Sequence, residues 1–360
     1  MQVEFKPNFD DVVKRYQALW AGRMRDQIIV RFQVRDQEAK RDAFMANIPN
    51  IEAMFDDYIE YWQPCRRLLD DTLPIVTPNF GTGAVCGCFG AEVSFGDGTS
   101  WAEHISDLID NPERIGYDPN NQYTNLFRDG TKYYCKKIGQ IAAAAPPLIE
   151  SSGDVLYQLL GSRIYTDMLD NAEQIDILLE RIAEGIIAFR KDIWQLAPAH
   201  EGGIFNNWMN WWVPAGTGLL GDDVFCSCSL DIYKRFGLPV HSSLAQNYRS
   251  AFYHLHNLGL HLIPEIVKIP NLICLELSED PNVALKGLPL LKQVRRQVGP
   301  ELVVMITVRP GEFLEAMENN ALPGNTIYNV CEENYQDIEC WDVDRVNHMM
   351  EKVWQYRSSQ

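Results

Sequence analysis

The sequence predicts a single α/β domain over residues 1–360, a (β/α)8 barrel with helical additions at its N-terminus. Two observations predict this fold. From residue 141 onward, short β-rich runs alternate with helix-like runs, which is typical of parallel β/α units. The strand candidates also number about eight, the count that closes such a barrel. A doubly wound open sheet is the alternative, but no Gly-x-Gly-x-x-Gly fingerprint follows an early strand.

The first third of the chain contains mixed elements and one candidate site loop. Helical spacing of apolar residues predicts helices over 9–24 and 51–69, and short apolar runs predict strands over 27–34 and 73–77. The loop 78–83 follows the second strand. It lacks the lysine and the spacing of a P-loop, so we predict no phosphate site there. Its glycines permit close approach of the backbone, and we take Asn79 in this loop as a candidate substrate-binding residue.

The rest of the chain alternates regularly between the two kinds of element. Strands are predicted over 141–145, 203–208, 224–227, 251–256, 273–278, 302–307 and 326–330. Helices are predicted over 172–196 and 342–356, and from starts near residues 154, 230, 261, 285 and 310, with Ser152 as the candidate cap of the first of these.

Composition and charge exclude several classes of protein. Hydrophobic residues make up 46% and charged residues 22%, which excludes wholesale disorder, collagen and coiled coil. The net charge of −17 repels phosphate backbones and anionic lipid head groups, so we expect neither a nucleic-acid nor a membrane partner. No apolar run approaches the ~20 residues that cross a bilayer. The N-terminus lacks a signal-peptide pattern, and nine scattered cysteines favour a reducing cytoplasm.

The strongest local signal for chemistry is the run Phe-Tyr-His-Leu-His-Asn at 252–257. Side chains alternate along a strand, so His254 and His256 share one face. The active site of a (β/α)8 barrel lies at the carboxyl ends of its strands, where two such imidazoles can reach one metal ion. A pair of hydrogen-bonded histidines without metal is the alternative.

The next predicted strand, Ile-Cys-Leu-Glu-Leu-Ser at 273–278, places a carboxylate on the corresponding face. Burying Glu276 under the helices would be costly, so we expect it to point into the barrel mouth. There it could be a metal ligand, a general base or a hydrogen-bond partner of a ligand. A salt bridge with Arg309 is the alternative, and Arg309 could equally clamp a substrate carboxylate.

Three further residues are candidates by position. Cys331 ends the last predicted strand and is either a metal ligand or a buried small apolar residue. Asp223 precedes the predicted strand 224–227. Trp208 lies in an aromatic and asparagine-rich run, 205–212, which could wall a pocket or simply join the core. We assign Asp223 and Trp208 to substrate binding.

Five segments, in this order, together resemble the uroporphyrinogen decarboxylase superfamily, which also contains zinc-dependent methyltransferases that act on methylated corrinoid proteins. They are Tyr-Gln-Ala-Leu-Trp-Ala-Gly at 16–22, Pro-Asn-Phe-Gly-Thr-Gly at 78–83, Asp-Val-Leu-Tyr-Gln-Leu-Leu-Gly at 154–161, Tyr-Lys-Arg-Phe-Gly-Leu-Pro at 233–239 and Tyr-His-Leu-His-Asn-Leu-Gly at 253–259. The likeness runs from about Arg15 to the C-terminus. It implies a (β/α)8 barrel.

Resemblance to the decarboxylase branch is incomplete at the residues that would bind a porphyrinogen. The decarboxylases bind substrate carboxylates through a Gln-Ala-Gly-Arg-Tyr type motif, which the stretch 21–26 matches poorly. No aspartate stands at 77–81, where the branch has its essential one. Tyr157 does align with its active-site tyrosine. We therefore expect uroporphyrinogen decarboxylation to be absent or very weak.

Resemblance to the methyltransferase branch implies a zinc site made by a His-x-Cys pair and a cysteine at the end of the last strand. His254 matches the histidine, His256 replaces the first cysteine, and Cys331 stands at about the expected position of the second. The resemblance therefore implies zinc ligands His254, His256 and Cys331. A site with fewer thiolates is more electrophilic and suits activation of water or polarisation of an oxygen.

The predicted function is a zinc-dependent methyltransferase that acts on a small molecule and works with cobalamin on a separate corrinoid protein. The chain itself shows no cobalamin-binding motif. Glu276, Tyr157 and Arg309 are the candidate catalytic residues. One alternative is a metal-free decarboxylase of a polycarboxylate or tetrapyrrole, with Tyr157 and Arg309 in its pocket. Another is a non-catalytic barrel that binds a tetrapyrrole or a corrinoid protein. A homodimer is left open as the oligomeric state.

Overall fold

The computed structural model describes residues 3–32, 47–96, 98–331 and 343–359. Its strands, numbered along the chain, are β1 Ile28–Phe32, β2 Ile75–Val76, β3 Val93–Gly96, β4 Thr99–Ala102, β5 Ala143–Ala144, β6 Gly203–Asn206, β7 Trp211–Pro214, β8 Thr217–Leu220, β9 Ser250–His256, β10 Leu272–Ser278, β11 Val303–Val308 and β12 Thr326–Val330.

The helices of the described residues lie mostly between these strands. Their bounds are Phe9–Trp20, Ile51–Trp62, Gly83–Gly87, Gln122–Lys137, Ser152–Leu160, Ile164–Asp170, Ala172–Ile193, Asp223–Cys226, Leu230–Ile232, Leu238–Gln246, Ile263–Ile266, Gly287–Val298, Pro310–Glu318 and Val343–Gln355. None of these helices is long and apolar enough to cross a membrane.

Eight parallel strands build the barrel, as the sequence predicts. Six form one sheet in the order β1-β12-β11-β10-β9-β8, and β2 pairs with β5. One buried interior cluster takes a side chain from every one of the eight strands, and these are Ile29, Ile75, Ala143, Leu219, Phe252, Cys274, Met305 and Ile327. The alternate residues pack outward under the helices. The predicted (β/α)8 fold is therefore confirmed.

Two of the predicted strands do not belong to the barrel. Residues 203–208 supply β6, but β6 pairs antiparallel with β7 in a separate hairpin. The run 224–227 lies mostly in the short helix Asp223–Cys226. A four-residue apolar run fits a buried helix as well as a strand, and here the Asp154 carboxylate accepts the N–H groups of Asp223 and Val224 and so favours the helix. The two barrel positions belong instead to β1 and β8.

Aromatic side chains fill the amino-terminal end of the barrel. The ring of Phe9 in the first helix lies 5.5 Å from that of Phe205 in the β6–β7 hairpin. Trp211 on the same hairpin lies 5.4 Å from Trp20 and 5.0 Å from Phe252 at the start of β9, measured between ring centroids. This plug leaves the carboxyl end of the barrel as the open end, where a site can form.

Candidate metal centre at the carboxyl ends of the barrel strands

His254 and Glu276 lie side by side on neighbouring strands and point into the barrel. The parallel register pairs Glu276 with His254 and Ser278 with His256. The Nδ1 atom of His254 donates a hydrogen bond to Glu276 Oε2, and both side chains are buried. The predicted orientation of Glu276 toward the histidines is therefore confirmed. The contact also fixes the His254 ring and directs its Nε2 away from the strand.

His256 has the same kind of partner. Its Nδ1 donates to Asp280 Oδ1 at 2.7 Å. Asp280 is itself held in place, because its backbone N–H donates to Asn257 Oδ1 at 2.9 Å and its Oδ2 accepts the N–H of Leu258 at 3.2 Å. Each imidazole thus donates its Nδ1–H to a carboxylate and has its Nε2 available.

The two available nitrogens converge on one carboxylate. Asp223 Oδ1 lies 3.6 Å from His254 Nε2 and 3.4 Å from His256 Nε2. In the described part of the chain, Asp223, His254 and His256 form the one group of three metal-capable side chains whose ligand atoms all lie within 4.8 Å of one another. The side chain of Asp223 is 59% exposed and that of His256 27%, so an ion can reach the group from solvent.

A buried network holds the segment that presents Asp223. Asp222 Oδ1 accepts the backbone N–H of Asp154 at 2.9 Å, and its Oδ2 lies 2.7 Å from His241 Nε2. The Asp154 carboxylate in turn accepts the N–H groups of Asp223 and Val224 at 3.0 and 3.1 Å. The helix that begins at Asp223 is therefore anchored to the helix Ser152–Leu160 by reciprocal hydrogen bonds.

Electrostatics around the histidines favour a bound cation. Burial by itself lowers the pKa of His254, but the charge and hydrogen bond of Glu276 outweigh it, and the pKa lies above its usual value. Carboxylate partners on Nδ1 are what metal-binding histidines usually have, because they fix the tautomer and raise the basicity of the ligating nitrogen. Two Nε2 atoms and one carboxylate oxygen are a donor set that zinc accepts, and it leaves further positions for water or substrate.

Comparison with known proteins supports the fold. The chain matches no protein-family model, and it matches no curated protein. Among solved structures it is similar to a methyltransferase from Methanosarcina mazei, with a TM-score of 0.62 over 96% of this chain and 98% of that one. Only 13% of the aligned residues are identical, so the likeness shows a shared fold and nothing finer.

Cys331 does not belong to the metal-capable group, so the structure does not assemble the ligand set that the resemblance implies. It lines a separate cavity of about 620 Å³ together with Arg309, Glu279 and Glu312. That cavity lies between the segments that follow two other strands, since Glu279 and Pro281 after β10 and Val308 and Arg309 at the end of β11 line it. Asp223, expected to bind substrate, takes the third place beside the two histidines.

The other predicted residues lie at four different places. Trp208 reaches the centre, with its ring 4.9 Å from that of His254 and nearly perpendicular to it. Tyr157 lines a cavity that Asp223 also lines. Asn79 Oδ1 accepts the N–H of Gly81 at 3.1 Å, which stabilises its own loop. Tyr157 and Arg309 line different cavities.

Several supporting residues escaped the sequence analysis. Asp280 had one available signal, since it follows β10 by two residues and the ends of barrel strands are where site residues occur. Asp154 and His241 had none, because their hydrogen bonds join segments distant in sequence and show no spacing pattern.

Proposed function

We propose that the protein is a zinc-dependent methyltransferase whose zinc ligands are Asp223, His254 and His256. The observation that supports this most strongly is the convergence of His254 Nε2 and His256 Nε2 on Asp223 Oδ1 while both Nδ1 atoms donate to carboxylates. The structural likeness to a methyltransferase directs the choice of reaction.

When bound, zinc would supply Lewis acidity that lowers the pKa of an acceptor thiol or polarises an oxygen. The side chains of this protein would do the remaining work. Glu276 and Asp280 hold the protons on Nδ1 of His254 and His256 and so keep each Nε2 a ligand. Trp208 packs against the His254 ring and excludes water from that side.

The methyl group would come from cobalamin, as the resemblance implies. The cobalamin would be bound to a separate corrinoid protein, because this sequence shows no cobalamin-binding motif of its own. A metal-free decarboxylase gains no support, because Tyr157 and Arg309 line two different cavities rather than one pocket.

Metal content of matched variants tests the proposal. Wild-type protein stripped with EDTA, reloaded with zinc and desalted should hold about one zinc per chain, and Cys331→Ser should hold the same amount. His254→Ala and Asp223→Asn should lose most of it, because each removes one of three ligands. The wild-type protein should also remove the methyl group of methylcobalamin in the presence of a small thiol, whereas His254→Ala should not. Full zinc in His254→Ala, or loss in Cys331→Ser, would reject the assignment.

A further inference from the structure

A second cavity, of about 710 Å³, adjoins the proposed metal centre, because Asp223 belongs to both. One strand and three helices contribute to its wall: strand β4, the helices Ser152–Leu160 and Ile164–Asp170, and the start of the helix at Asp223. Its lining residues are Thr82, Trp101, Ala102, His104, Glu150, Asp154, Tyr157, Gln158, Gly161, Ser162, Tyr165, Asp223 and Val224.

The charge in this cavity has one sign. Glu150, Asp154 and Asp223 supply three carboxylates, and no lysine or arginine is among the described lining residues. Acidic side chains gathered around one cavity repel one another when ionised, and a cation placed between them would relieve that repulsion.

Three aromatic side chains complete the cavity wall. Trp101, Tyr157 and Tyr165 are 48%, 40% and 37% exposed, unusual values for side chains of this size. They come from three separate elements, and the rings of Tyr157 and Tyr165 lie 6.2 Å apart at 60°. Partly exposed aromatic faces beside carboxylates attract organic cations, because the face of each ring is electrostatically negative.

We propose that this cavity binds an organic ammonium cation with methyl groups on nitrogen. The inference goes beyond the proposed function, in which cobalamin supplies the methyl group and a thiol accepts it. A hard metal ion would need the carboxylates but would gain little from three aromatic rings. An anion would meet three carboxylates and no compensating cation. Only a soft organic cation uses both features of the wall.

The test compares two probes of nearly the same shape. Isothermal titration calorimetry with metal-free wild-type protein would measure choline against 3,3-dimethyl-1-butanol, in which carbon replaces the charged nitrogen. We expect choline to bind at least about tenfold more tightly, since cation–π contacts in desolvated sites are worth about that much. Equal affinity for the two probes would overturn the proposal.

Variants locate the binding to this cavity. Trp101→Leu and Tyr157→Leu should each weaken choline binding about tenfold, while Trp101→Tyr, which keeps an aromatic face, should weaken it less. Trp354→Leu is the matched control, because Trp354 is similarly exposed (37%) but lies on the helix Val343–Gln355, outside the cavity. Unchanged affinity in both leucine variants of the cavity would contradict the proposal.

The same titrations separate this inference from the proposed function. Zinc binding without selective choline binding would reject the cation site and leave the metal centre intact. Choline binding that depends on Trp101 and Tyr157 in a protein that retains no zinc would reject the metal centre and support the cation site.

Discussion

Each histidine of the centre uses its two ring nitrogens differently. The Nδ1 atoms of His254 and His256 donate to Glu276 and Asp280, and the Nε2 atoms face Asp223. A neutral imidazole can do both at once, since one nitrogen has a hydrogen and the other a lone pair. The carboxylate partners therefore prepare the ring for a cation before any cation arrives.

Glu276→Gln tests the supporting role of that carboxylate. The substitution nearly conserves shape, so the protein should keep its circular dichroism spectrum and unfold at a similar temperature. The charge that raises the basicity of His254 is lost, and the Kd for zinc should rise about 10–100-fold. Competition with a chromophoric zinc chelator would measure it.

Glu301→Gln is the control for this variant, because Glu301 is exposed and pairs only with Arg25 among the described contacts. If Glu276→Gln bound zinc as tightly as that control, the carboxylate would have no part in holding the ligand.

The raised pKa of Glu150 predicts that the stability of the metal-free protein depends on pH. Desolvation, with the charges of Asp223 and Asp222, raises the pKa of Glu150 from 4.5 to about 8. The folded state thus holds this proton more tightly than the unfolded chain does. Its stabilising contribution is complete below the unfolded pKa and is lost as the pH rises from about 4.5 to about 8.

Thermal unfolding between about pH 5 and pH 9 should therefore show a Tm that falls more steeply for the wild type than for Glu150→Gln, which cannot lose the proton. Parallel Tm profiles for the two proteins would show that Glu150 has an ordinary pKa.

The alternation of side chains along a strand predicted part of this site from the sequence. The rest depends on contacts between distant segments, which alternation does not show. The two-residue period of a strand placed His254, His256 and Glu276 on one face, because the pattern depends only on local geometry. The third side chain beside the histidines is Asp223 rather than Cys331, the residue that the resemblance implies. Which strand end lies next to β9 depends on long-range order, and no local period encodes that.

At the scale of elements, the turn after β8 decides whether Asp223 reaches the histidines. Gly221 has a φ of +124°, and a Cβ added there would lie 2.3 Å from the backbone oxygen of His254. Only glycine permits both this conformation and this approach. The turn therefore passes directly over His254 and delivers the next helix start to the metal centre.

Gly221→Ala should destabilise the protein by about 1–3 kcal/mol and weaken zinc binding, because strain and collision with His254 must displace the turn. Urea unfolding and the chelator competition would measure the two effects. Gly22→Ala is the matched control, since Gly22 also has positive φ (+68°) but nothing within 4 Å of an added Cβ. The same loss of zinc affinity in both variants would exclude a local effect of the turn.

A contact between residues distant in sequence explains why the short helix Asp223–Cys226 was predicted as a strand. The run 224–227 is apolar and short, and its helical state depends on the Asp154 carboxylate at the helix start. Asp154 lies about 70 residues away, and a local pattern shows nothing of it. Longer elements, such as the helix Ala172–Ile193, were predicted to within a few residues because their own periodicity suffices.

At the scale of the whole molecule, the two ends of the barrel differ: one is packed with aromatic side chains and the other carries the polar side chains of the candidate site. The aromatic plug of Phe205 and Trp211 closes the amino-terminal end, and the polar side chains of β9 and β10 line the opposite end. Strand count and alternation predicted this architecture, since eight parallel strands have few other ways to close. Because β8, β9 and β10 are neighbours in the barrel, residues at or just after their carboxyl ends can meet in one site.

X-ray absorption spectroscopy at the zinc edge of the reloaded wild-type protein tests most directly whether nitrogen and oxygen from Asp223, His254 and His256 hold zinc. We predict a shell of nitrogen and oxygen neighbours at about 2.0–2.1 Å with imidazole scattering and no sulfur. A sulfur neighbour at about 2.3 Å would place Cys331 or another thiolate on the metal and contradict the account.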